Sequence, residues 1–316
     1  ETQRGNTKTI RTGLAGYIMN IGILSVRDHT YHPNKRLIEA GSRLGHRVSL
    51  IHTRECLSET GARGMNLQIL NDPDFRPDVI LPRIGATIND YAMAIVRQFE
   101  LSGIPAVNGF YSILSARNKF LSLQTLSLQN LPVPDSHLVI NLSGFRAAVE
   151  NLGGYPVVVK SLRSRQGAGV ALIQSPDMAE FVLNNLQDMS RGLLVQEFIP
   201  TGARKDIRAF VIGDRVTSAM ELKPNAGDFR SNIHLSGHGR RYDPDPQLSR
   251  LAVRASRALG LEISGVDIIL DEEGKAKVIE VNYSPGFRGI EAATGADIAS
   301  EIIEYITHRS MEKPCT

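Results

Sequence analysis

An α/β layer followed by a larger α+β region is the fold class that the sequence predicts. Three observations carry it. Between residues 19 and 113, short apolar runs alternate with helical spacing, as in βαβ units. The motif LPVP at 131–134 then breaks a long helical pattern, because proline lacks the amide donor and restricts the residue before it. Beyond that break the strand-like runs come in clusters joined by hairpin signals.

Taken in order, the first 18 residues, ETQRGNTKTIRTGLAGYI, stand apart. They are rich in Thr and Gly, with Arg4, Lys8 and Arg11 set against Glu1. Met19 directly precedes the strand-like NIGILSV, so 1–18 reads as a disordered extension. As a transit peptide it is short and lacks a clear amphipathic face. The apolar run 21–26 predicts a strand, 33–44 a helix that Gly45 stops, and 47–51 a second strand. A crossover helix between them implies parallel pairing. A strand at 78–81, a helix over 89–102 and a strand at 105–107 repeat the alternation, giving an N-terminal domain over 19–113.

A single helix is expected over 112–130. Then come strands at 136–140, 155–160, 168–173 and 193–198, with helices over 143–152 and 176–189. Strands 206–213 and 215–221 form a hairpin about Gly213-Asp214. The helix over 245–259 carries Leu248, Leu251, Ala252, Ala255 and Leu259 on one face, the pattern of core packing. Strands 266–270 and 276–282 flank the turn DEEGK. The second domain therefore spans 114–308 with mostly antiparallel pairing, and 309–316 is a tail.

The 316 residues suffice for two or three domains with ample core. A net charge of +3 is too small to argue for direct nucleic-acid binding, and no apolar run approaches a membrane span. Cys56 and Cys315 lie far apart without metal-ligand spacing, which suits a reduced, cytoplasmic setting.

The stretch VIEVNYSPG, 278–286, carries the chemistry. Glu280 and Asn282 lie two apart on a strand, so they share one face about 7 Å apart. Across the DEEGK hairpin, Asp267 is the one polar side chain of GVDIIL. A second carboxylate facing Glu280 is costly unless a cation lies between them. Asp267, Glu280 and Asn282 are hard oxygen donors that suit Mg²⁺ or Mn²⁺. The alternative is unrelated polar residues at a sheet edge.

Phosphate needs positive charge and backbone donors. The strand YPVVVK ends in Lys160, and the loop after it contains Gly167 and Gly169, which let backbone amides approach an anion. By itself such a Q-G-x-G turn is more often a hairpin. Lys119 is a second candidate cation. The segment LVQEFI, 194–199, offers backbone and an apolar slot to a planar base, though a strand end explains it equally well. Asp206 and Arg208 share a strand face, and Asp228, Arg230 and Asn232 sit in the polar loop GDFRSNIH. Arg230 either neutralises phosphate or carboxylate charge or lies in solvent.

Together these pieces resemble the ATP-grasp superfamily, and most closely the RimK-type glutamate ligases that extend the C-terminus of a small-subunit ribosomal protein. The residues that carry the resemblance are PRIGA (82–86), ARNK (116–119), VVVK (157–160), QGAGV (166–170), VQEFI (195–199), DIR (206–208), GDFRSNIH (227–234), GVDI (265–268) and EVNYSPGFRGIE (280–291). It covers nearly all of 19–308. It implies an ATP-grasp domain in which two α+β subdomains grip ATP. Lys119 and Lys160 would hold the nucleotide phosphates, with Gly167 and Gly169 in the loop over them. Glu197 and Phe198 would lie beside adenine, and Asp206 would bind ribose. Arg230, Ser231 and Asn232 would sit near the triphosphate and acceptor, with Arg230 and Lys160 catalytic. Asp267, Glu280 and Asn282 would hold two divalent ions.

Two departures stand out. The family's acidic-and-small run before QG is here Arg163-Ser164-Arg165, and its aspartate before the helix lysine is here Asn118. The expected reaction joins glutamate to an acceptor's carboxylate through an acyl phosphate, with ADP released. The acceptor would be a protein C-terminus, or alternatively a small molecule such as a pterin or deazaflavin. A non-catalytic ATP-binding regulatory module is a further alternative, against which the intact Asp267/Glu280/Asn282 set argues. The protein is expected to be a homo-oligomer.

Overall fold

The computed structural model describes residues 18–62, 64–85, 88–162, 169–185, 192–223 and 239–312. Residues 1–17 of the expected extension over 1–18, the Arg163–Arg165 loop with Gly167, and the Arg230-Ser231-Asn232 run lie outside the described residues.

The chain opens as expected. Strand β1 (Asn20–Ser25), helix α1 (His32–Arg43) and β2 (Arg47–His52) form a parallel crossover, and β5 (Val79–Pro82) pairs on the other side of β1, giving the order β2-β1-β5. Gly45 ends the helix turn with φ +83°, a conformation open to glycine. Between β2 and β5 lies an antiparallel hairpin that the alternation does not suggest, β3 (Cys56–Gly61) and β4 (Gly64–Ile69).

Two expectations in this region are corrected. Residues 105–107 do not form a strand; they add only the isolated parallel bridge Ile80–Ala106. Nor is 112–130 one helix. After α2 (Asp90–Leu101), α3 (Phe110–Ala116) ends and α4 (Lys119–Leu128) begins anew, with Asn118 extended between them. The Asn118 carboxamide oxygen accepts from the amides of Phe120 and Leu121, so it caps α4. That start places Lys119 in the first turn of α4.

The four-stranded sheet comes next: β6 (Ser136–Val139), β7 (Val157–Ser161), β8 (Val170–Ile173) and β9 (Leu193–Glu197), in the order β6-β9-β7-β8 and antiparallel throughout. Helices α5 (Leu142–Asn151) and α6 (Pro176–Asn185) lie with it. Phe145, Val157, Val159, Ile173 and Val195 form its core on one face. Residues at even positions, Val158, Lys160, Leu194 and Gln196, therefore face the other way.

The second antiparallel sheet has the order β12-β11-β10-β13-β14, from β10 (Lys205–Ile212), β11 (Arg215–Leu222), β12 (Gly239–Arg241), β13 (Ile263–Leu270) and β14 (Ala276–Asn282). Ile207, Ala209, Val266, Ile268, Val278 and Val281 face α7 (Pro246–Ala258), whose expected apolar stripe is buried there. At its other end the sheet's opposite face packs on the N-terminal layer. There Phe210, Ile212 and Phe287 share a core with Ile21, Ile23 and α9 (Ile298–Glu312), which follows the short α8 (Arg288–Thr294). No helix among the described residues is long and apolar enough to cross a membrane.

Candidate functional site

Lys160 ends the apolar run of β7, and strand alternation turns it away from the Val157–Val159 core. Its ammonium donates to Gln196 Oε1 at 2.6 Å, and Gln196 Nε2 donates to Ser136 Oγ at 2.9 Å, so a neighbouring-strand carboxamide holds the lysine. Burial first, and then the nearby Lys119 charge, pull Lys160 down to about 8, while Glu280 and Asp267 act in the opposite sense. The two lysines and the two carboxylates thus converge from both sheets and from α4.

On the facing sheet, Asp267 and Glu280 are cross-strand partners, as expected, and Asn282 lies opposite Gly265. Between them the ladder skips one residue. Asp267 pairs with Glu280 and Ile268 with Val278, which leaves Ile279 as a β-bulge. The bulge shifts the alternation. Val278 and Val281, three apart, both point into the core, while Ile279, Glu280 and Asn282 line the cavity. Lys277 is likewise carried onto the site side.

Neither carboxylate lacks a counter-charge. Arg208 meets Asp267 with two parallel bonds of 2.7 Å, and Asn282 Nδ2 donates to Asp267 Oδ2 at 3.3 Å. Burial disfavours the Arg208 charge, but Asp267 and then Glu280 outweigh it and hold the guanidinium above its ordinary value. Lys119 Nζ donates to Glu280 Oε1 at 2.6 Å. For Glu280 burial acts upward, yet Lys119, Lys160 and Arg208 prevail and keep the carboxyl below its usual range.

At the other end of the cleft, Glu197 closes β9. Its carboxylate accepts from the Asp135 amide at 2.8 Å and from Lys277 Nζ at 2.5 Å, which ties the two sheets together. Phe198 follows, half-buried. Asp206 is 7% exposed and paired with Arg204 at 3.0 Å, and Arg204 also donates to the Ile199 carbonyl at 2.7 Å. A cavity of about 100 Å³ opens beside Lys119 and Glu280, between Arg117, Leu123, Asn282 and Tyr283.

The structure therefore brings together Lys119, Lys160, Asp267, Glu280 and Asn282, with Glu197, Phe198 and Asp206 along the same cleft. Gly169 ends the loop at β8, where its carbonyl accepts from the Ser161 amide at 2.8 Å. Gly167, Arg230, Ser231 and Asn232 are outside the described residues. Lys277, Gln196 and Arg204 belong to this cleft as well. Lys277 has no signal in strict alternation, because the bulge that turns it inward is a tertiary feature. Among the described residues no three His, Cys, Asp or Glu side chains gather for a metal. The donor set is two carboxylates and a carboxamide, so a hard cation here would complete its shell with phosphate oxygens and water. The facing carboxylates, compensated by Arg208 and Lys119, fit that demand.

Family models match the chain in two segments: the RimK PreATP-grasp domain over residues 19–113 and the RimK-like ATP-grasp domain over 116–306. A probable alpha-L-glutamate ligase of Marinomonas sp. (strain MWYL1) is 38% identical over 288 residues, covering 91% of this chain and 95% of that protein. Probable alpha-L-glutamate ligase 1 of Hahella chejuensis (strain KCTC 2396) is 39% identical over 295 residues, 93% of this chain and 97% of that protein. Among solved structures, a RimK domain protein ATP-grasp from Sphaerobacter thermophilus has a TM-score of 0.72 at 24% identity, covering 90% of this chain and 98% of its own. The ATP-grasp ligase PsnB complexed with minimal precursor also has a TM-score of 0.72, at 20% identity, with 93% and 100% covered. At these identities the structural likeness is one of fold.

Proposed function

The chain belongs to the RimK-like ATP-grasp family of ATP-dependent ligases, and from that premise we propose that it joins glutamate to the carboxylate of a protein or peptide acceptor. One observation carries the reading beyond the family: Lys119 and Lys160 converge with Asp267 and Glu280 between two sheets. Such a cleft offers cations to phosphate oxygens and oxygen donors to a divalent ion. The same reading divides the chain into a pre-ATP-grasp layer (19–113) and an ATP-grasp region (114–308), with 1–18 an extension; the boundary at 308 falls inside α9, which runs on to Glu312.

Joining a carboxylate to an amine in water is uphill. An acceptor carboxylate oxygen attacks the γ-phosphorus of ATP, the bond to the β-phosphate oxygen breaks, and ADP and an acyl phosphate result. The amine nitrogen of glutamate then attacks the acyl carbon, phosphate leaves, and the nitrogen gives up a proton. Lys160, anchored by Gln196, and Lys119 hold the phosphates and neutralise oxygens that gain charge. Glu197 and Phe198 border the base, and Asp206 takes the ribose hydroxyls. Asp267, Glu280 and Asn282 would hold Mg²⁺, with Mn²⁺ and a second ion as the finer form of this proposal; the ion would supply charge stabilisation for the phosphoryl transfer. By resemblance to the family, Arg230, Ser231 and Asn232 would serve the phosphates and the acceptor.

PsnB has been captured with its minimal precursor, Mg and ADP, which favours a peptide over a small-molecule acceptor by likeness of fold. The test incubates the protein with ATP, Mg²⁺, glutamate and candidate acceptor peptides, followed by intact-mass analysis. Mass gains of whole glutamate residues on a peptide support the proposal. ATP turnover that glutamate and peptides leave unchanged rejects it.

A further inference from the structure

Asp267 and Glu280 face each other only while β13 and β14 keep their register, and the bulge at Ile279 is what carries Glu280 opposite Asp267. The DEEGK turn closes the pair at one end. At the other, the ladder stops at Gly265–Asn282, one residue beyond which the strands part. Gly265 is needed there because a Cβ would meet Pro285 Cβ at 2.9 Å.

A side chain from the N-terminal layer fills the fork where they part. Asn108 is 2% exposed. Its Nδ2 donates to the carbonyls of Ile263 and Tyr283, each at 2.7 Å. Its Oδ1 accepts from the amides of Glu262 at 2.7 Å and Ile263 at 3.0 Å. One carboxamide thus grips the start of β13 and the residue after Asn282 together. No other short neutral side chain supplies two donors and an acceptor in one plane. Two further ties from the same layer hold the following turn. Buried Arg83 donates to the Pro285 carbonyl and faces the Phe287 ring at 5.7 Å, and the Tyr283 hydroxyl donates to the Gly85 carbonyl.

We infer that Asn108 is a positioning residue: it sets the spacing of Asp267, Glu280 and Asn282 and couples the N-terminal layer to the divalent-ion site. This rests on the proposed role of those three residues. It touches no reacting atom, so its effect reaches the ion only through the backbone of β13 and β14. Groups that orient metal ligands typically contribute 10–100-fold to metal affinity.

The test measures Mn²⁺ binding by water-proton relaxation in the full chain, saturated with a non-hydrolysable ATP analogue. Asn108→Asp sets an acceptor against the two carbonyls, and the expected result is a Mn²⁺ dissociation constant raised about tenfold or more. Asn108→Ser, which loses the same grip without adding charge, gives a second folded variant with the same expectation. Phe145→Leu loosens the core of the four-stranded sheet and serves as a control for general destabilisation; it should leave the constant unchanged. A folded Asn108 variant that binds Mn²⁺ as the unsubstituted chain does overturns the inference. So does a Phe145→Leu protein weakened for Mn²⁺ to the same extent. Absence of Mn²⁺ binding in the unsubstituted chain overturns the ion site itself, and this role with it.

Discussion

Raising the pH above about 8 should release nucleotide through one residue, Lys160. Its ammonium is held down to about 8, first by burial and next by the neighbouring Lys119. It is then about half charged at pH 8 and about a tenth charged at pH 9. Phosphate binding requires the charged form, so affinity for a non-hydrolysable ATP analogue should be flat below pH 8. Above it, affinity should fall about tenfold per pH unit. Stability moves the other way. The folded value lies below the ordinary 10.5, so the unfolded chain binds more protons between the two, and this group's contribution to stability rises across that window. Loss of affinity at pH 9 is therefore not unfolding driven by Lys160. Glu280 is held below its usual range and Arg208 above its own, so neither titrates there. Isothermal titration calorimetry from about pH 6.5 to about pH 9.5 measures the profile. Lys160→Arg keeps a charge at every pH and should lose the break. A flat profile for the unsubstituted chain, or the same break in Lys160→Arg, would refute the reasoning.

Other substitutions separate the parts of the cleft. Glu280→Gln keeps shape but loses a charged oxygen donor. We expect kcat to fall about 10²–10³-fold, with stability changed by about 1 kcal/mol or less since the Lys119 pair is partly exposed. Steady-state kinetics and calorimetry check both halves. Asp267→Asn leaves Arg208 half-paired in a mostly buried site and should cost about 2 kcal/mol or more, read by urea unfolding. Lys277→Met removes the tie between the two sheets at Glu197; KM for ATP should rise several-fold with kcat little changed, and an unaltered KM contradicts that role.

Much of this was legible because strand alternation and turn chemistry are local. The β1–α1–β2 crossover, the Gly213 hairpin and the α7 stripe follow from spacing alone. The expected meeting of Asp267 with Glu280 occurs, but through the bulge: the pairs Leu270–Ala276 and Ile268–Val278, continued regularly, would set Asp267 opposite Ile279. The failures have physical reasons. The β3–β4 hairpin is largely exposed and polar, so it lacks an apolar period to read. Residues 105–107 are apolar enough for a strand, but they make one isolated bridge, in which Ile80 donates to the Pro105 carbonyl and accepts from the Val107 amide. Helical spacing runs unbroken through 112–130, whereas Asn118 restarts the helix by capping it. Lys277 and Asn108 were invisible for a deeper reason. One depends on a bulge and the other on contacts more than 150 residues away in sequence, and neither leaves a local pattern.

The central claim is that an acceptor carboxylate is activated by the γ-phosphoryl group of ATP. An acyl-phosphate route releases ADP and phosphate, whereas an adenylate route releases AMP and pyrophosphate. The direct measurement uses an acceptor whose carboxylate carries oxygen-18, with mass spectrometry of the released phosphate and a count of nucleotide products. One ADP per bond formed, with one labelled oxygen in the phosphate, is the predicted result. Stoichiometric AMP, or phosphate without label, would contradict the account even though the fold stands.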